Sequence, residues 1–334
     1  MITAYRITAG QLQRRQFLAA LGGFSFTPFG IAQSVDSARK VSILLGSSSG
    51  RRYFNPFHEG LSKLGWTEGR NIVVTPYWGE GDSSIMQAHA VEMVRSRPDV
   101  IVVQSATALR AVIKTNTDIP IVFFVVSDPV GNKFVQSLSH PGGNVTGFSL
   151  FSYEIVGKWL QLLKEIAPHL ERVMLLMNVN NPNWPGWFSS SESIFRALKV
   201  QLVTAKITSL PDVLPQISAL ARQRNSGLIV LPDPFLGTYR RLIIESAAKN
   251  RLPAIYGLER DVDDGGLISY STDEVDLARR AAEYVSRILR GEKPKDLPVQ
   301  MPTRFRLAVN LKTARSLGIT IPQSVLIGAA KVIE

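Results

Sequence analysis

Residues 119–129 read IPIVFFVVSDP, and residues 228–235 read LIVLPDPF. Each is an unbroken apolar run, rich in β-branched side chains, too short for a buried helix and closed by a turn signal. Strands with no polar alternation have to be covered on both faces, as parallel sheets between layers of helices are. Both runs end in Asp-Pro, at Asp128-Pro129 and Asp233-Pro234. The chain therefore contains two similarly built halves, each offering a carboxylate at the end of a buried strand.

Working outward, the apolar spacing predicts strands at 41–46, 72–77, 100–104 and 121–126, each followed by a helix, at 54–64, 83–97, 107–116 and 132–138. After a strand at 145–148 the cycle restarts. Helices are predicted at 153–167, 187–198, 214–224 and 239–249, and strands at 173–177, 202–207, 228–231 and 254–256. This is an α/β fold of two doubly wound parallel sheets side by side, with the cleft between them as the place for a ligand.

At 334 residues the chain has room for about two domains, and 45% hydrophobic with 19% charged residues is a globular composition. The absence of cysteine excludes disulfides, thiolate metal sites, a cysteine nucleophile and a lipoprotein anchor. The formal charge of +11 is spread along the chain without a dense run, which speaks for solubility and against a nucleic-acid partner. Residues 1–32 carry Arg6, Arg14 and Arg15, no acidic residue, and a mildly apolar stretch interrupted by Gly22, Gly23 and Pro28. Gly-Gly and Pro make this a poor helix, and Arg14-Arg15-Gln16-Phe17-Leu18 resembles a twin-arginine export signal, with cleavage expected before Gln33. No later stretch reaches the roughly 20 apolar residues of a membrane span. The mature chain is expected in the periplasm, soluble and without a lipid anchor.

In doubly wound sheets ligands lie beyond the carboxyl ends of the strands, among loops and helix N-termini. The loops there supply Ser48 and Ser49, Ser105 and Thr107, Ser127 and Asp128 from the first half, and Asn178, Asn180, Asp233 and Tyr256 from the second. Short uncharged donors with two acids suit a small polar or zwitterionic molecule. Each of these residues could equally cap a helix or form a turn. Trp184, Trp187, Phe235, Tyr239 and Tyr256 are candidates for an aromatic floor.

Signals for chemistry do not assemble. Gly46-Ser47-Ser48-Ser49-Gly50 matches G-x-S-x-G, but it lies on the first strand and the last histidine is His169, so the late histidine of a hydrolase is lacking. His58, His89, His140 and His169 show no metal-ligand spacing, and neither a G-K-S/T loop nor a dinucleotide fingerprint follows the first strand. We expect no catalytic residue, no cofactor and no metal.

Several blocks in order are similar to the ABC-transporter substrate-binding proteins of the type I periplasmic-binding fold, the family with tryptophan and tyrosine transport components. They are LSKLGWTEGRN from Leu61, IPIVFFVVSDPV from Ile119, SHPGGNVTGFS from Ser139, Asp233-Pro234-Phe235, LPAIYGLERDVDDGGLISYSTD from Leu252, GEKPKDLPVQMPT from Gly291 and LAVNLKTARSLGITIP from Leu307. The resemblance implies two lobes joined by three crossover strands, lobe 1 at 38–150 plus about 270–300 and lobe 2 at 151–269 plus about 301–334. It implies hinge closure on a small-molecule ligand, an amino acid (aromatic or branched) or an aromatic or other small carboxylate. Delivery to a membrane permease with its ATPase follows, the protein acting as a monomer and not as an enzyme. The ten loop residues named above match the family's ligand-lining segments, and Ser269-Tyr270 lies near a crossing. The chain departs from the family at 104–107, where Gln104-Ser105-Ala106-Thr107 stands in place of the frequent Gly-Gly-Thr-Pro. A sensory receptor of the same fold and an exported hydrolase are the alternative readings.

Overall fold

The apolar runs of the first half become strands connected by helices that cover both faces of the sheet. In order they are β1 (Arg39–Leu45), α1 (Arg51–Lys63), β2 (Ile72–Trp78), α2 (Ser83–Arg95), β3 (Val100–Gln104), α3 (Ala106–Ile113), β4 (Ile121–Val126) and β5 (Val145–Ser149). The computed structural model describes residues 38–205 and 207–334, so the expected export segment at 1–32 lies outside the described residues. All five strands are parallel, in the order β2-β1-β3-β4-β5, with Ile43 level with Val102 and Val102 level with Val122.

The second half continues with α4 (Ile155–Ile166), β6 (Arg172–Leu176), α5 (Trp184–Ala197), β7 (Gln201–Thr204), α6 (Leu210–Ala221) and β8 (Ser226–Val230). Then come α7 (Pro234–Thr238), α8 (Arg240–Lys249), β9 (Ala254–Tyr256), α9 (Glu259–Asp263), β10 (Ile268–Ser271) and α10 (Glu274–Leu289). The chain closes with β11 (Arg306–Asn310), α11 (Leu311–Leu317), α12 (Gln323–Ile327) and β12 (Ala329–Ile333). Seven strands form the second sheet, in the order β12-β11-β10-β9-β8-β6-β7. It is not purely parallel: β10 and β11 run antiparallel, Ile268 facing Val309. Strands β10 to β12 lie beyond the last strand expected from the apolar runs, at 254–256.

Each sheet is buried on both faces, as its unbroken apolar strands require. In the first sheet Leu44, Ile101, Val103 and Phe123 pack under α2 and α3, while Val41, Ile43, Val102 and Phe124 face α1 and α10. In the second, Met174, Leu176 and Leu228 pack under α6 and α8, and Val173, Leu175 and Ile229 face α4.

The helix expected at 132–138 does not form. The segment runs in successive turns, with the N–H groups of Asn132 and Phe134 donating to the carbonyls of Asp128 (3.1 Å) and Pro129 (2.9 Å). Lys133 takes a positive φ of 59°, which interrupts a right-handed helix at its second expected residue. Phe134 and Val135 instead lie directly on the sheet.

The chain crosses between the sheets after β5, between β10 and α10, and again before β11. Before the last crossing Gln300 pairs with the first sheet, its N–H donating to Gly147 O at 2.9 Å and its carbonyl accepting from Ser149 N at 2.8 Å. An aromatic cluster ties the first two crossings together. Trp159 and Trp187 stack with centroids 5.5 Å apart, Phe151 meets both edge-on, and Trp159 Nε1 donates to the carbonyl of Tyr270 at 2.7 Å.

Candidate functional site

The carboxyl ends of β1, β3 and β4 meet those of β6, β8 and β9 across a narrow cleft. Its enclosed part has a volume of about 20 Å³, room for a water molecule or two. Ser47, Gln104, Ser105 and Ser127 line it from the first sheet, and Asn181, Asn183, Asp233 and Arg260 from the second. Val125, Leu150, Pro234 and Leu258 provide apolar wall. An outer cavity of about 510 Å³ shares Asn181, Asp233 and Pro234 with it and is lined further by Thr107, Asn178 and Asn180, with Phe235 and Tyr239 as its aromatic side.

The first wall is built under backbone strain. Ser105 has φ +93° and ψ 154°, a region that is otherwise nearly restricted to glycine. Val125 has φ +57° at the irregularity where β4 breaks register with β5, and Asp128 has φ +41°. Ser105 nevertheless caps α3, its Oγ accepting from Ala108 N at 3.3 Å, and a Cβ on Gly46 would come 2.7 Å from that Oγ. Glycine takes this conformation at no steric cost, having no Cβ. Ser105→Gly is expected to stabilise the protein by about 1 kcal/mol, since relief of 1–3 kcal/mol of strain outweighs the few tenths lost at the cap and the entropy of glycine. A urea midpoint that rises with unchanged slope checks this, and a midpoint that falls overturns it.

On the second wall Asp233 is buried as the cap of α7. Its Oδ1 accepts from Leu236 N at 2.9 Å and its Oδ2 from Asn181 Nδ2 at 2.6 Å. Burial dominates these bonds and pushes its carboxyl up to about 6. Arg260 is buried beside the cavity, its Nε 3.5 Å from Asp261 Oδ1. Behind it Glu274 is also buried, and desolvation pushes its carboxyl up to about 7 against the pull of Arg52 and Arg260.

Of the residues expected from sequence, Ser105, Ser127 and Asp233 reach the enclosed cavity, and Thr107, Asn178 and Asn180 reach the outer one together with Asp233. Tyr256 is buried one layer deeper, lining a space with Asp233 and Arg260. Ser48 and Ser49 lie in the short 3-10 turn before α1, and Ser47, which precedes it, is on the cavity wall. Asp128 lies outside both linings, its Oδ1 turned back to accept from Gly131 N at 2.9 Å. The two acids therefore do not face each other across the enclosed cavity. Trp187 is core, not floor. Ser47, Gln104, Asn181, Asn183 and Arg260 were not among the expected ligand contacts. The first four neighbour expected residues in the same loops, whereas the burial of Arg260 has no local sequence signal.

Chemically, the walls can hold both ends of a zwitterion: a carboxylate at hydroxyls, amides and a guanidinium, and an ammonium at Asp233. No histidine lines either cavity, and among the described residues no group of three or more His, Asp or Glu is placed to hold a metal. Among the described residues no helix is long and apolar enough to cross a membrane.

Residues 40–333 match the protein family described as ABC transporter substrate binding protein. A tyrosine-binding protein of Clostridioides difficile (strain R20291) is 27% identical over 261 residues, 78% of this chain and 75% of that protein. The crystal structure of an ABC domain in complex with L-Trp from Streptococcus pneumonia superposes with a TM-score of 0.83 at 24% identity, covering 89% of this chain and 100% of that one. The ligand-free, open structure of a substrate binding protein with adhesive properties from Clostridium difficile gives 0.64 at 26% identity, covering 89% and 99%.

Proposed function

The chain belongs to the ABC transporter substrate-binding protein family, and from that premise we propose that it captures an α-amino acid with an aromatic or branched side chain by closure of the cleft. The observation that carries this reading is the pairing of a buried carboxylate, Asp233, with a buried guanidinium, Arg260, on the wall of one enclosed cavity whose opposite wall is hydroxyls and amides. The tyrosine-binding and L-Trp-bound relatives support the ligand class. The better fit to the L-Trp complex than to the open, ligand-free structure supports closure as the motion that encloses the ligand.

In this reading an open form admits the ligand, and residues 38–150 with about 270–300 close as one lobe on residues 151–269 with about 301–334. Ser105, Ser127 and Asp233 hold the polar ends, and Thr107, Asn178 and Asn180 border the side chain at the mouth. Ser48, Ser49, Asp128 and Tyr256 brace the loops around them. Each contact made only when the lobes meet favours the closed form by its differential affinity. Closing without a ligand leaves the Asp233 charge desolvated, a cost that a ligand ammonium offsets. The ligand then passes unaltered to a membrane permease driven by an ATPase. The segment at 1–32 directs export, and the protein works in the periplasm as a monomer.

The test is a thermal-shift screen with L-tyrosine, L-tryptophan, L-leucine and aromatic acids. A ligand at about 100 times its Kd adds roughly 2.7 kcal/mol to the folded state, a rise of several degrees. A melting temperature indifferent to every amino acid would rule out the ligand class.

A further inference from the structure

We propose that Asn132 is the latch of the closed cleft, a positioning residue that holds the two halves together whatever ligand lies between them. It stands in the turn after β4, on the first sheet, and its side-chain amide reaches across to the second half. Nδ2 donates to Asn183 Oδ1 at 2.8 Å and to Tyr153 Oη at 3.0 Å. The two hydrogens of Nδ2 are shared with the carbonyls of its own loop, Asp128 O at 2.9 Å and Ser127 O at 3.3 Å, as three-centre bonds that fix the amide's direction. On its other side Oδ1 accepts from Arg110 Nη2 at 3.4 Å.

The acceptors are rigidly held. Tyr153 packs edge-on against Trp187, centroids 4.8 Å apart, and its ring is pressed so closely on α5 that a Cβ on Gly186 would lie 2.0 Å from its Cε2. Its hydroxyl donates to Asn183 Oδ1 at 3.3 Å, so Asn183 receives two bonds on one oxygen. From Asn183 the bonds run on into the site: Asn183 N donates to Asn181 Oδ1 at 2.9 Å, and Asn181 Nδ2 donates to Asp233 Oδ2. Asn132 itself is not on the wall of the enclosed cavity. A residue that bonds across the cleft without touching the ligand changes the balance of open and closed forms, and apparent affinity scales with the competent fraction. Its removal therefore weakens every ligand by one common factor, in contrast to a contact residue, which alters selectivity.

This inference rests on the proposed closure, and its test has an arm that needs no ligand. Asn132→Ala, and Asn132→Asp, which keeps the shape but cannot donate, are compared with the unaltered protein by small-angle scattering without ligand and by binding kinetics with L-tyrosine, L-tryptophan and L-leucine. The expected result is a larger radius of gyration for both variants without ligand, and for each amino acid that binds an affinity loss of about three- to tenfold, the same factor throughout and expressed as faster release. An unchanged radius in both variants overturns the latch even if no amino acid binds. So does a loss that differs from ligand to ligand, which would make Asn132 a contact residue.

Discussion

Asp233→Asn lowers the affinity of the cleft for an α-amino acid by one to two orders of magnitude and, at pH 7, raises the melting temperature of the unliganded protein by a few degrees. The first effect is the loss of a charged hydrogen bond to the ligand ammonium, worth about 1.5–3 kcal/mol. The second follows from burial. The folded protein raises this carboxyl from 3.8 to about 6, so it holds the proton more tightly than the unfolded chain does. That contribution to stability is complete below about pH 3.8 and is lost as the pH rises through about 6, leaving a burden of roughly 3 kcal/mol at neutral pH. Asparagine carries no charge to desolvate, although it gives up part of the bond with Asn181, which limits the gain. The same residue sets a pH dependence. Affinity of the unaltered protein falls as the pH drops through about 6, approaching tenfold per unit below it, while the Asn variant is flat. Calorimetric titration between pH 5 and pH 8 checks both; equal affinities for the two proteins would remove Asp233 from the site.

Gly147→Ala abolishes or nearly abolishes the folded state, with an expected loss above about 4 kcal/mol. Gly147 lies in β5 with φ +154°, and a Cβ there would sit 2.0 Å from the carbonyl oxygen and 2.7 Å from the nitrogen of Phe123. Both atoms belong to the backbone of β4, which is bonded to β3 on its other side, so neither can yield without breaking a ladder. Glycine within this strand marks the close approach of two backbones. Gly143→Ala serves as the comparison, because nothing lies within 4 Å of its would-be Cβ. Chemical denaturation is expected to leave Gly143→Ala within about 0.5 kcal/mol of the parent. A Gly147→Ala midpoint equally close to the parent would contradict the packing described for β4 and β5.

The strands at 100–104, 121–126 and 254–256 form where the apolar runs place them, because each is buried on both faces and bounded by turn residues that end it sharply. The turn at 132–138 carries the sequence signal of a helix, since Phe134 and Val135 are buried apolar residues in either conformation; only the packing distinguishes the two. β11 and β12 were illegible for another reason: their place depends on a chain that has crossed between the sheets and returned antiparallel, a relation no local spacing encodes. The site divides in the same way. Ser105 and Ser127, immediately after β3 and β4, come to the cavity because strand ends converge there, and Asp233, three residues beyond β8, comes to it as the cap of α7. Asp128 is one residue further on, and its positive φ turns the carboxylate back onto Gly131. Arg260, in the short helix after β9, is brought in by tertiary packing alone.

Reversible capture of an unaltered amino acid is tested most directly by titrating the protein with L-tyrosine and L-tryptophan in a calorimeter and recovering the ligand afterwards for mass spectrometry. The account predicts saturable binding of one molecule per chain for at least one of them, with the amino acid returned intact. Heat that never saturates for either, or a recovered ligand of altered mass, would contradict it.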